Sequence, residues 1–599
     1  MIAPMTKYTF ILLNGTQGDL LERLQEMGLV DITRSAKAVD KATEELMADI
    51  DLVDGLIQGL SKVEIPEGTV PEAIDGDIVR LTGGMLMRYA EDRDEIKRLN
   101  AAINDYKVWG NYDATILQEL NEAGVIIHFH VLSNKKFKAE WADSYALTVV
   151  HADKKRIWFL VAGEDRLPGE VPAPTISLEE LEERLQEKEK HYRKVLGRLA
   201  GAMERIGELE AHRKDSYERL DVHLAGAAAV PAAEDTIVTL VGYAPTEKDA
   251  EVSASLDASG VFYFKDAAVA EDHPPISLKN NWFVRQFETL TDMYGRPEYD
   301  GFDPTPFISI FFLLFFAFCM GDAGYGLVLI LVGLLLKKVK SFASLAPLVV
   351  VLGIGTTVIG LIFHTFFSMD MLTWSWIPDG VKKCMLPSKI AGYDGTMVLA
   401  LVVGIVHLCV ALVVKAIYAT KHEGFAKTVG TWGWTLLIVG GAIVGGIALA
   451  GVLDKAVTKW VLIGLGIVSA LAIFPLNNLK RNPLVNTGLG LWDTYQTVTG
   501  LLGDVLSYLR LYALGLAGAM LGFAFNSIGQ MALGDGSSVG GWIGFILIVL
   551  IGHTLNLAMC ALGAFVHPLR LNFLEFFKNS GYETSPRNYT PLQKTNNNQ

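Results

Sequence analysis

Arg510 lies near the centre of a long apolar stretch, residues 495–528, where a permanent charge is unfavourable. An arginine in the middle of a bilayer costs about 2.5–3.5 kcal/mol on insertion scales, and its guanidinium stays charged at any accessible pH. Such a residue can extend its side chain to the headgroups, pair with a carboxylate such as Asp504, or act on an ion pathway. The central position favours the ion pathway, because the headgroups are far from the middle of the membrane.

An immobile cation inside a membrane has few uses. It can hold an anionic ligand, sense voltage, or act on a carboxylate that alternates between charged and neutral forms. Voltage sensors carry several regularly spaced arginines on one helix, whereas this stretch contains one. Glu575 lies near the end of the last apolar stretch and is a poor internal partner. The missing carboxylate is therefore expected on another polypeptide, an arrangement that suits ion translocation against a moving ring.

A second set of polar residues interrupts the last apolar stretch, residues 541–577. The set comprises His553, Asn556, Cys560, His567 and Arg570. At 100° per residue these positions fall within an arc of roughly 100°, so one stripe of an apolar helix is polar. A polar stripe in a membrane faces a water-filled cavity or polar partners, and we predict that it lines an ion half-channel. A second interpretation makes the two histidines interhelical hydrogen-bonding partners and lets Arg570 reach the headgroups.

The elements that must position these residues are membrane spans, each of which needs roughly 20 residues to cross the hydrocarbon. Apolar stretches predict about eight spans, near residues 306–321, 323–336, 343–366, 396–418, 431–452, 457–475, 495–528 and 541–577. The last two are much longer than required, which predicts strong tilt, a break, or extension beyond the bilayer. Two long tilted helices side by side offer a surface that can follow a neighbouring object.

The basic residues predict the orientation of the spans. Lysines follow the even-numbered spans, for example Lys337, Lys421 and Lys578. Cytoplasmic loops carry an excess of lysine and arginine, so the even-numbered ends and both termini are expected in the cytoplasm. Three lysines between residues 382 and 389 run against this pattern, although three aspartates share their loop.

The first 300 residues are charged and mixed in composition, and they predict α/β lobes joined by a long helical coiled-coil arm. Strand patterns fall near residues 8–13, 29–33, 125–133, 145–151, 156–161, 236–243 and 260–264. The fold class expected is therefore multi-domain: the N-terminal lobes and arm, then an all-α polytopic membrane domain ending in two long tilted helices. The predicted boundaries are 1–300 for a cytoplasmic domain, 301–580 for the membrane domain and 581–599 for a polar tail.

The helical arm has the clearest periodicity of the N-terminal half. Residues 178–224 repeat apolar side chains at steps of three, four and seven between charged residues, with a weakening at 211–216. This pattern is typical of a coiled-coil helix, which needs a partner along its length. The earlier helical stretch, residues 36–123, is the expected partner.

The composition excludes several classes of function. The formal net charge of −14 argues against a nucleic-acid partner. The four cysteines lack the spacing of a metal site or a disulfide framework. The chain contains no GxxxxGK[ST] phosphate-binding loop, so ATP hydrolysis would require another polypeptide. No metal or cofactor is predicted.

Three motifs resemble subunit a of the V-type and archaeal A-type rotary ATPases, also called subunit I. They are SYLRLYALGLA at residues 507–517, HPLRLNFLEFF at 567–577 and FCMGDAGYG at 318–326, and the VGYAP segment at 241–245 is similar to a junction in the same family. The resemblance covers essentially the whole chain. It implies a non-catalytic stator subunit that translocates H⁺ or Na⁺ while other subunits hydrolyse or make ATP.

The resemblance also implies partners and residue roles. The expected partners are a proteolipid c or K rotor ring that supplies the ionisable carboxylate, peripheral-stalk subunits E and G/H, the central-stalk connectors C and a d-like subunit, and the ATPase head. Arg510 matches the essential arginine of the family, and Arg570 matches a second one. Half-channel candidates are His553, Asn556, Cys560, His567, Ser507 and Glu575, and the small residues expected to face the ring are Ala513, Ala517, Gly518 and Gly522.

Two positions depart from many members of that family. Residue 560, often a half-channel glutamate, is Cys560, and residue 518, a histidine in some eukaryotic members, is Gly518. The ion path and the choice of ion are left open by these differences. The alternative function is a secondary transporter or channel in which Arg510 binds an anionic substrate, and a third is a membrane receptor with a signalling arm. Length and charge favour a prokaryotic plasma membrane.

Overall fold

The computed structural model describes most of the chain. The described residues are 1–34, 40–110, 114–138, 140–173, 178–232, 236–339, 342–375, 377–382, 385–387, 389–390, 392–449, 454–477, 482–534, 538–585 and 587–594. Their contacts define two compact units. The arm unit contains Ile11–Leu240 with the residues from Leu592 on, and the membrane unit contains Met1–Phe10 with Val241–Pro591.

The N-terminal half alternates strands and helices. In chain order these are β1 (Met5–Leu13), α1 (Gln17–Met27), β2 (Asp31–Ile32), α2 (Lys41–Ser61), α3 (Ile78–Trp109), α4 (Ala114–Glu122), β3 (Ile127–Ser133), α5 (Trp141–Ser144), β4 (Leu147–Ala152), β5 (Arg156–Ala162), β6 (Glu170–Val171), α6 (Leu178–Glu204), α7 (Ile206–Gly226), β7 (Val230–Ala232), β8 (Ile237–Pro245), α8 (Asp249–Ser259), β9 (Tyr263–Ala267), α9 (Trp282–Arg285) and α10 (Glu288–Tyr294). The strands lie close to their predicted positions.

The C-terminal half is dominated by helices. They are α11 (Thr305–Met320), α12 (Ala323–Leu336), α13 (Ala346–Ile362), α14 (Asp379–Lys382), α15 (Gly395–Glu423), α16 (Val429–Leu449), α17 (Lys455–Ile473), α18 (Pro483–Leu533), α19 (Val539–Arg570) and α20 (Phe577–Ser580), with short strands β10 (Thr365–Phe366), β11 (Met369–Asp370), β12 (Lys389–Ile390) and β13 (Tyr393–Asp394). A π-helical turn, Leu571–Phe576, joins α19 to α20.

The helices of the arm unit pair as the periodicity predicts. Helix α3 packs along α6, and α2 packs along α7. Buried aliphatic side chains from these helices, including Leu56, Leu60, Leu199 and Leu209, form one core cluster. The long predicted helix is divided in two, because Arg205 has non-helical backbone angles between α6 and α7. The break therefore lies before the expected weak segment at 211–216.

A four-stranded antiparallel sheet completes the arm unit. Its strand order is β4-β5-β3-β6. In this register His130 lies opposite Phe159, and both side chains are fully buried. In the membrane unit, residues 6–10 of β1 pair antiparallel with β9.

Glycines allow close approach of α12 and α13 in the membrane unit. A Cβ atom on Gly360 would lie 2.1 Å from the backbone nitrogen of Ala323, and one on Gly326 would lie 2.5 Å from that of Thr357. Backbones that approach so closely gain van der Waals contact in a bilayer, where lipid removes the hydrophobic drive for helix association. These two helices therefore form a tight hairpin.

Five helices of the described chain are long and apolar enough to cross a membrane. They are α15, α16, α17, α18, and α19 with its continuation to Ser580. Helices α11, α12 and α13 are apolar but contain only 16, 14 and 17 residues. The chain is thus a polytopic membrane protein, whereas the predicted count of eight spans is not confirmed. The domain boundary at residue 301 and the orientation of the termini stay predictions.

Candidate functional site

Arg510 is carried by α18, a helix of 51 residues that begins earlier than the sequence suggests. Asn482 and Pro483 start it, and proline suits the first helical position because its missing N–H has no partner there in any case. The side chain of Arg510 is half-buried, and its Nη1 atom is shielded from solvent without a hydrogen-bond partner in the described chain. Within those same residues no carboxylate forms an ion pair with Arg510.

Asp504, the nearest acidic residue on α18, has other partners. Its Oδ2 atom accepts a hydrogen bond of 2.7 Å from the Asn579 amide, and its Oδ1 atom lies 3.6 Å from the Lys578 ammonium. The carboxylate is thereby tied to α20 at the cytoplasmic end expected for these helices. The alternative in which Asp504 neutralises Arg510 is not what the geometry shows.

One face of α18 is exposed and apolar. It includes Leu502, Leu506, Leu516 and Met520. At 100° per residue, Arg510 lies about 40° from Leu506 around the helix, so the guanidinium is at the edge of this face. We call these residues, with Ala513 and Ala517, the outward face of α18; both alanines are exposed.

The two glycines predicted to face the ring point into the chain instead. A Cβ atom on Gly518 would lie 2.6 Å from the Cys560 sulfur, and one on Gly522 would lie 1.9 Å from the Ser368 hydroxyl. Both glycines therefore let α18 pack closely on neighbouring parts of the same molecule. This corrects the prediction, which treated all small residues of α18 as one surface.

The polar stripe predicted on the last apolar stretch lies on α19. Its outer half, toward the predicted non-cytoplasmic end, contains His553, Asn556 and Cys560 and forms a closed hydrogen-bond network. His553 bonds the Tyr325 hydroxyl through Nδ1 at 2.7 Å and the Asn526 side-chain oxygen through Nε2 at 2.9 Å. Asn556 donates to the Tyr325 hydroxyl and to the Gly518 carbonyl, both at 2.9 Å. The Cys560 thiol lies 3.4 Å from the Asn556 oxygen. The network joins α12, α18 and α19, and its members satisfy one another.

Asp322 fixes the neighbouring loop. Its carboxylate accepts hydrogen bonds from the backbone N–H groups of Gly324 and Tyr325 at the start of α12, and from those of Phe367 and Ser368. Phe367 and Ser368 have φ angles of 47° and 57°, which non-glycine residues rarely adopt. Charge-assisted hydrogen bonds to a buried carboxylate are strong enough to hold such a loop.

The inner half of the stripe, His567 and Arg570, directly precedes a local widening of the helix. The Asn572 side chain donates a 2.9 Å hydrogen bond to the Pro568 carbonyl, next to the π-helical turn. Single π-helical turns are frequent at functional sites. Arg570 is exposed, and His567 is half-buried with its Nδ1 atom lacking a partner in the described chain.

Glu575 follows within the π-helical turn and is buried. Its Oε2 atom has no hydrogen-bond partner among the described residues. Ser507 donates a 3.1 Å hydrogen bond to the Gly503 carbonyl of its own helix, and its side chain also neighbours Glu575. Ser507, Glu575 and Asp504 therefore lie together, whereas His553, Asn556 and Cys560 form a separate group.

Two cavities lie at different levels of α18. The inner cavity, so named because it lies toward the predicted cytoplasmic end of α18, has a volume of about 380 Å³ and is polar. It lies beside Asp493, Gln496 and Thr497, with Lys415 and Asn579 opposite. The outer cavity, about 230 Å³, lies beside Tyr512, Gly515, Leu516 and Ala519. Arg510 falls between these two levels and lines neither of them.

No group of three or more His, Cys, Asp and Glu side chains could hold a metal ion among the residues that the structure describes. Arg510 supplies a fixed positive charge at the border of an outward face, and the two cavities reach that helix from either side.

Comparison with known proteins finds similarity to one family of proteins. A profile of the V-type ATPase 116kDa subunit family matches residues 165–375. This part of the chain is therefore similar to that family.

Two curated proteins are similar to this chain over different lengths. The "A-type ATP synthase subunit I" of Methanocaldococcus jannaschii is 32% identical over 378 residues, which cover 58% of this chain and 54% of the relative. The chain thus matches about half the length of that relative. The "V-type ATP synthase subunit I 1" of Treponema pallidum is 26% identical over 99% of this chain and 100% of its own length.

A solved structure is also similar to part of this chain. It is titled "Crystal structure of the cytoplasmic N-terminal domain of subunit I, homolog of subunit a, of V-ATPase", and it aligns over 44% of this chain and all of its own. The identity is 12% and the TM-score is 0.25, so no conclusion about the fold rests on it.

Sequence reasoning missed several residues that complete the site. Tyr325 and Asn526 are the partners of His553, and Asn579 and Lys578 are those of Asp504. The available signal was the isolated polarity of Asn526 within an apolar stretch and the place of Tyr325 in the FCMGDAGYG motif. Neither signal predicts which residue is the hydrogen-bond partner, because the two members of each pair are far apart along the chain.

Proposed function

We propose that this chain is the membrane stator subunit of a V/A-type rotary ATPase and forms the ion path against a rotating proteolipid ring. One observation carries the proposal: Arg510 lies at the edge of an exposed apolar face and has no carboxylate partner among the described residues. An unpaired cation in a membrane is costly. A carboxylate presented by another chain at this face would supply the partner.

The chemistry follows from the cost of charge in lipid. A ring carboxylate facing lipid stays neutral, because its ionised form is too poorly solvated. Beside Arg510 the ionised form is favoured: two charges about 4 Å apart gain roughly 4 kcal/mol at an effective dielectric constant near 20, equivalent to about three pKa units. The carboxylate therefore releases its H⁺ or Na⁺ near Arg510 and takes up another after passing it.

The two cavities support separate access on either side of Arg510. The inner cavity approaches α18 before Arg510, and the outer cavity approaches it after Arg510. Arg510 between them prevents direct flow, so ions must travel on the ring. Ser507, His567, Glu575 and Arg570 are the residues that we assign to the inner side.

The remaining roles follow from the family. The arm unit would connect to peripheral-stalk subunits E and G/H and to the central-stalk connectors C and a d-like subunit. ATP would be hydrolysed or made by the soluble head, so this chain itself is not the ATPase. The expected location is a prokaryotic plasma membrane with both termini in the cytoplasm.

A secondary transporter is less well supported. That function requires Arg510 to hold an anionic substrate in a cavity within the chain. Neither the inner nor the outer cavity is lined by Arg510. The guanidinium lies instead at the edge of the outward face of α18, whose apolar residues are exposed.

Ion uptake by the assembled complex in proteoliposomes tests the proposal. Arg510→Ala and Arg510→Lys are compared with Lys459→Ala, which removes an exposed positive charge from α17. ATP-driven uptake is followed with a pH-sensitive dye and with radioactive sodium. We expect Arg510→Ala to abolish uptake while all subunits still co-purify, and Lys459→Ala to transport normally. Uptake that survives Arg510→Ala contradicts the proposal.

A further inference from the structure

The outer cavity lies where an ion leaving or approaching a ring carboxylate would need water. Tyr512, Leu516 and Ala519 follow Arg510 on the same helix. At about 1.5 Å rise per residue, these positions begin roughly 3 Å beyond Arg510 and extend to about 14 Å. Leu516 belongs both to this cavity and to the outward face of α18. The cavity therefore borders the face on which a partner helix would move.

The opposite wall of the outer cavity is formed by loops and helix ends. It includes His364, Thr365 of strand β10, and Asp394 and Thr396 at the start of α15. Apolar side chains complete it: Phe318, Phe363, Leu386 and Pro387. His364 Nδ1 lies 2.9 Å from the Asp370 carboxylate, and Asp394 caps α15 through the Thr396 N–H at 2.9 Å. Asp394 remains exposed while it caps the helix. Asp394, Thr396 and His364 thus make one part of the wall polar and acidic, and most of the remaining lining is apolar.

The α19 stripe from His553 to Cys560 is occupied by its own hydrogen-bond network. His553 and Asn556 use their side-chain nitrogens on partners within the network, and Asn556 is fully buried. The packing around them is tight, because even a methyl group on Gly522 would overlap the Ser368 hydroxyl. Buried polar groups that satisfy one another stabilise and rigidify a structure. This network therefore fastens α12, α18 and α19 together.

We infer that the outward-facing access route runs through the outer cavity, between β10, the start of α15 and residues 512–519 of α18, and not along the α19 stripe. The inference rests on the proposed function, since an access route requires an ion path. The exposed carboxylate of Asp394 at the rim raises the local concentration of cations, as negative charge at the mouth of a cleft does. The ligand is a hydrated monovalent cation, H₃O⁺ or Na⁺.

Reactivity of introduced cysteines tests whether the outer cavity is wet. Thr396→Cys and Leu516→Cys place thiols in the cavity, and Met520→Cys places one on the outward face of α18 beyond it. The complex in sealed vesicles is treated from either side with a charged, membrane-impermeant methanethiosulfonate. Adducts are quantified by peptide mass spectrometry, so the native Cys560 reports on the α19 stripe in every sample.

The thiolate is the reactive form, and each unit by which apolar surroundings raise the pKa of a thiol lowers its thiolate fraction by up to about tenfold. We therefore expect Thr396→Cys and Leu516→Cys to react from the outer side at least about tenfold faster than Met520→Cys. Cys560 should stay unmodified. Equal rates at residues 516 and 520, or faster modification of Cys560, overturn the inference. Slow reaction at both cavity positions also overturns it, because lipid would then fill the space.

A transport measurement separates this inference from the proposed function. Modification of Thr396→Cys, which lies in the cavity but not on the outward face of α18, should block ion uptake in proportion to the fraction labelled. Labelling without a block shows a wet cavity off the ion path, which overturns the inference. Loss of uptake in Arg510→Ala would then still support the stator function, because that test does not involve the outer cavity.

Discussion

Asp504 and Arg510 lie on the same helix, six positions apart, yet the Asp504 carboxylate binds the Asn579 amide at 2.7 Å and not the Arg510 guanidinium. The acidic residue closest in sequence is used to tie α18 to α20. Arg510 keeps its charge at the edge of the outward face of α18. In the proposed function, this separation leaves Arg510 available to a carboxylate from another chain.

Replacement of Asp504 by asparagine tests this separation. Asp504→Asn keeps the size of the side chain and removes the contact with Lys578, an exposed ammonium whose ion pair contributes less than about 1 kcal/mol. We expect the complex to assemble, to lose little thermal stability, and to retain most of its ATP-driven ion uptake. Loss of uptake as complete as in Arg510→Ala would show that Asp504 belongs to the ion path.

The contact of Gly518 with Cys560 predicts a compensating pair of substitutions. A methyl group on Gly518 would lie 2.6 Å from the Cys560 sulfur, and overpacking of this kind costs about 1–3 kcal/mol. We expect Gly518→Ala to lower the thermal unfolding midpoint of the complex and Gly518→Ala/Cys560→Ala to restore much of it. Ala517→Ser on the outward face is the control and should change little. Equal destabilisation by the single and double variants would argue against the contact.

The buried histidine of the β3–β6 sheet predicts acid sensitivity in the arm unit. Burial lowers the pKa of His130 below its usual value of 6.5, although the nearby Glu170 carboxylate opposes the shift and His128 adds to it. The unfolded chain therefore binds a proton more readily than the folded one. Stability is present above about pH 6.5 and declines as the pH falls below it.

Hydrogen exchange of the full chain measures this effect. Amide protection in β3 and β5, corrected for intrinsic exchange rates, should fall on acidification from about pH 7.5 to about pH 5.5 in the native sequence. His130→Phe removes the titrating group and preserves a ring against Phe159, so its protection should depend less on pH. His151→Gln, at an exposed position of β4, is the control. The same pH dependence in His130→Phe and the native chain would exclude His130 as the cause.

Local patterns predicted much of the fold. The strands near residues 127–162 follow from runs of β-branched and aromatic residues, and α6 follows from its spaced leucines. The partner of α6 was also predictable, because a long amphipathic helix must bury its apolar stripe on another one. The length of α18 was not, since its first residues are polar enough to resemble a loop.

The candidate site was predictable as a set of residues but not as an arrangement. Isolated polar residues in apolar stretches are visible in the sequence, and this singled out Arg510, His553 and Asn556. Their partners depend on how helices pack, so neither Tyr325 beside His553 nor Cys560 against Gly518 was foreseen. The same problem arises for small residues, because the sequence does not distinguish a glycine that faces a ring from a glycine that packs inside the chain.

Photo-crosslinking from the outward face of α18 tests the central claim most directly. A benzoylphenylalanine replaces Ala513, one turn beyond Arg510, and in a second variant replaces Ile467, an exposed residue of α17. The account predicts that irradiation of the assembled complex joins the proteolipid ring subunit to residue 513 and not to residue 467. Capture of lipid alone at residue 513, in a complex that contains the ring, would contradict it.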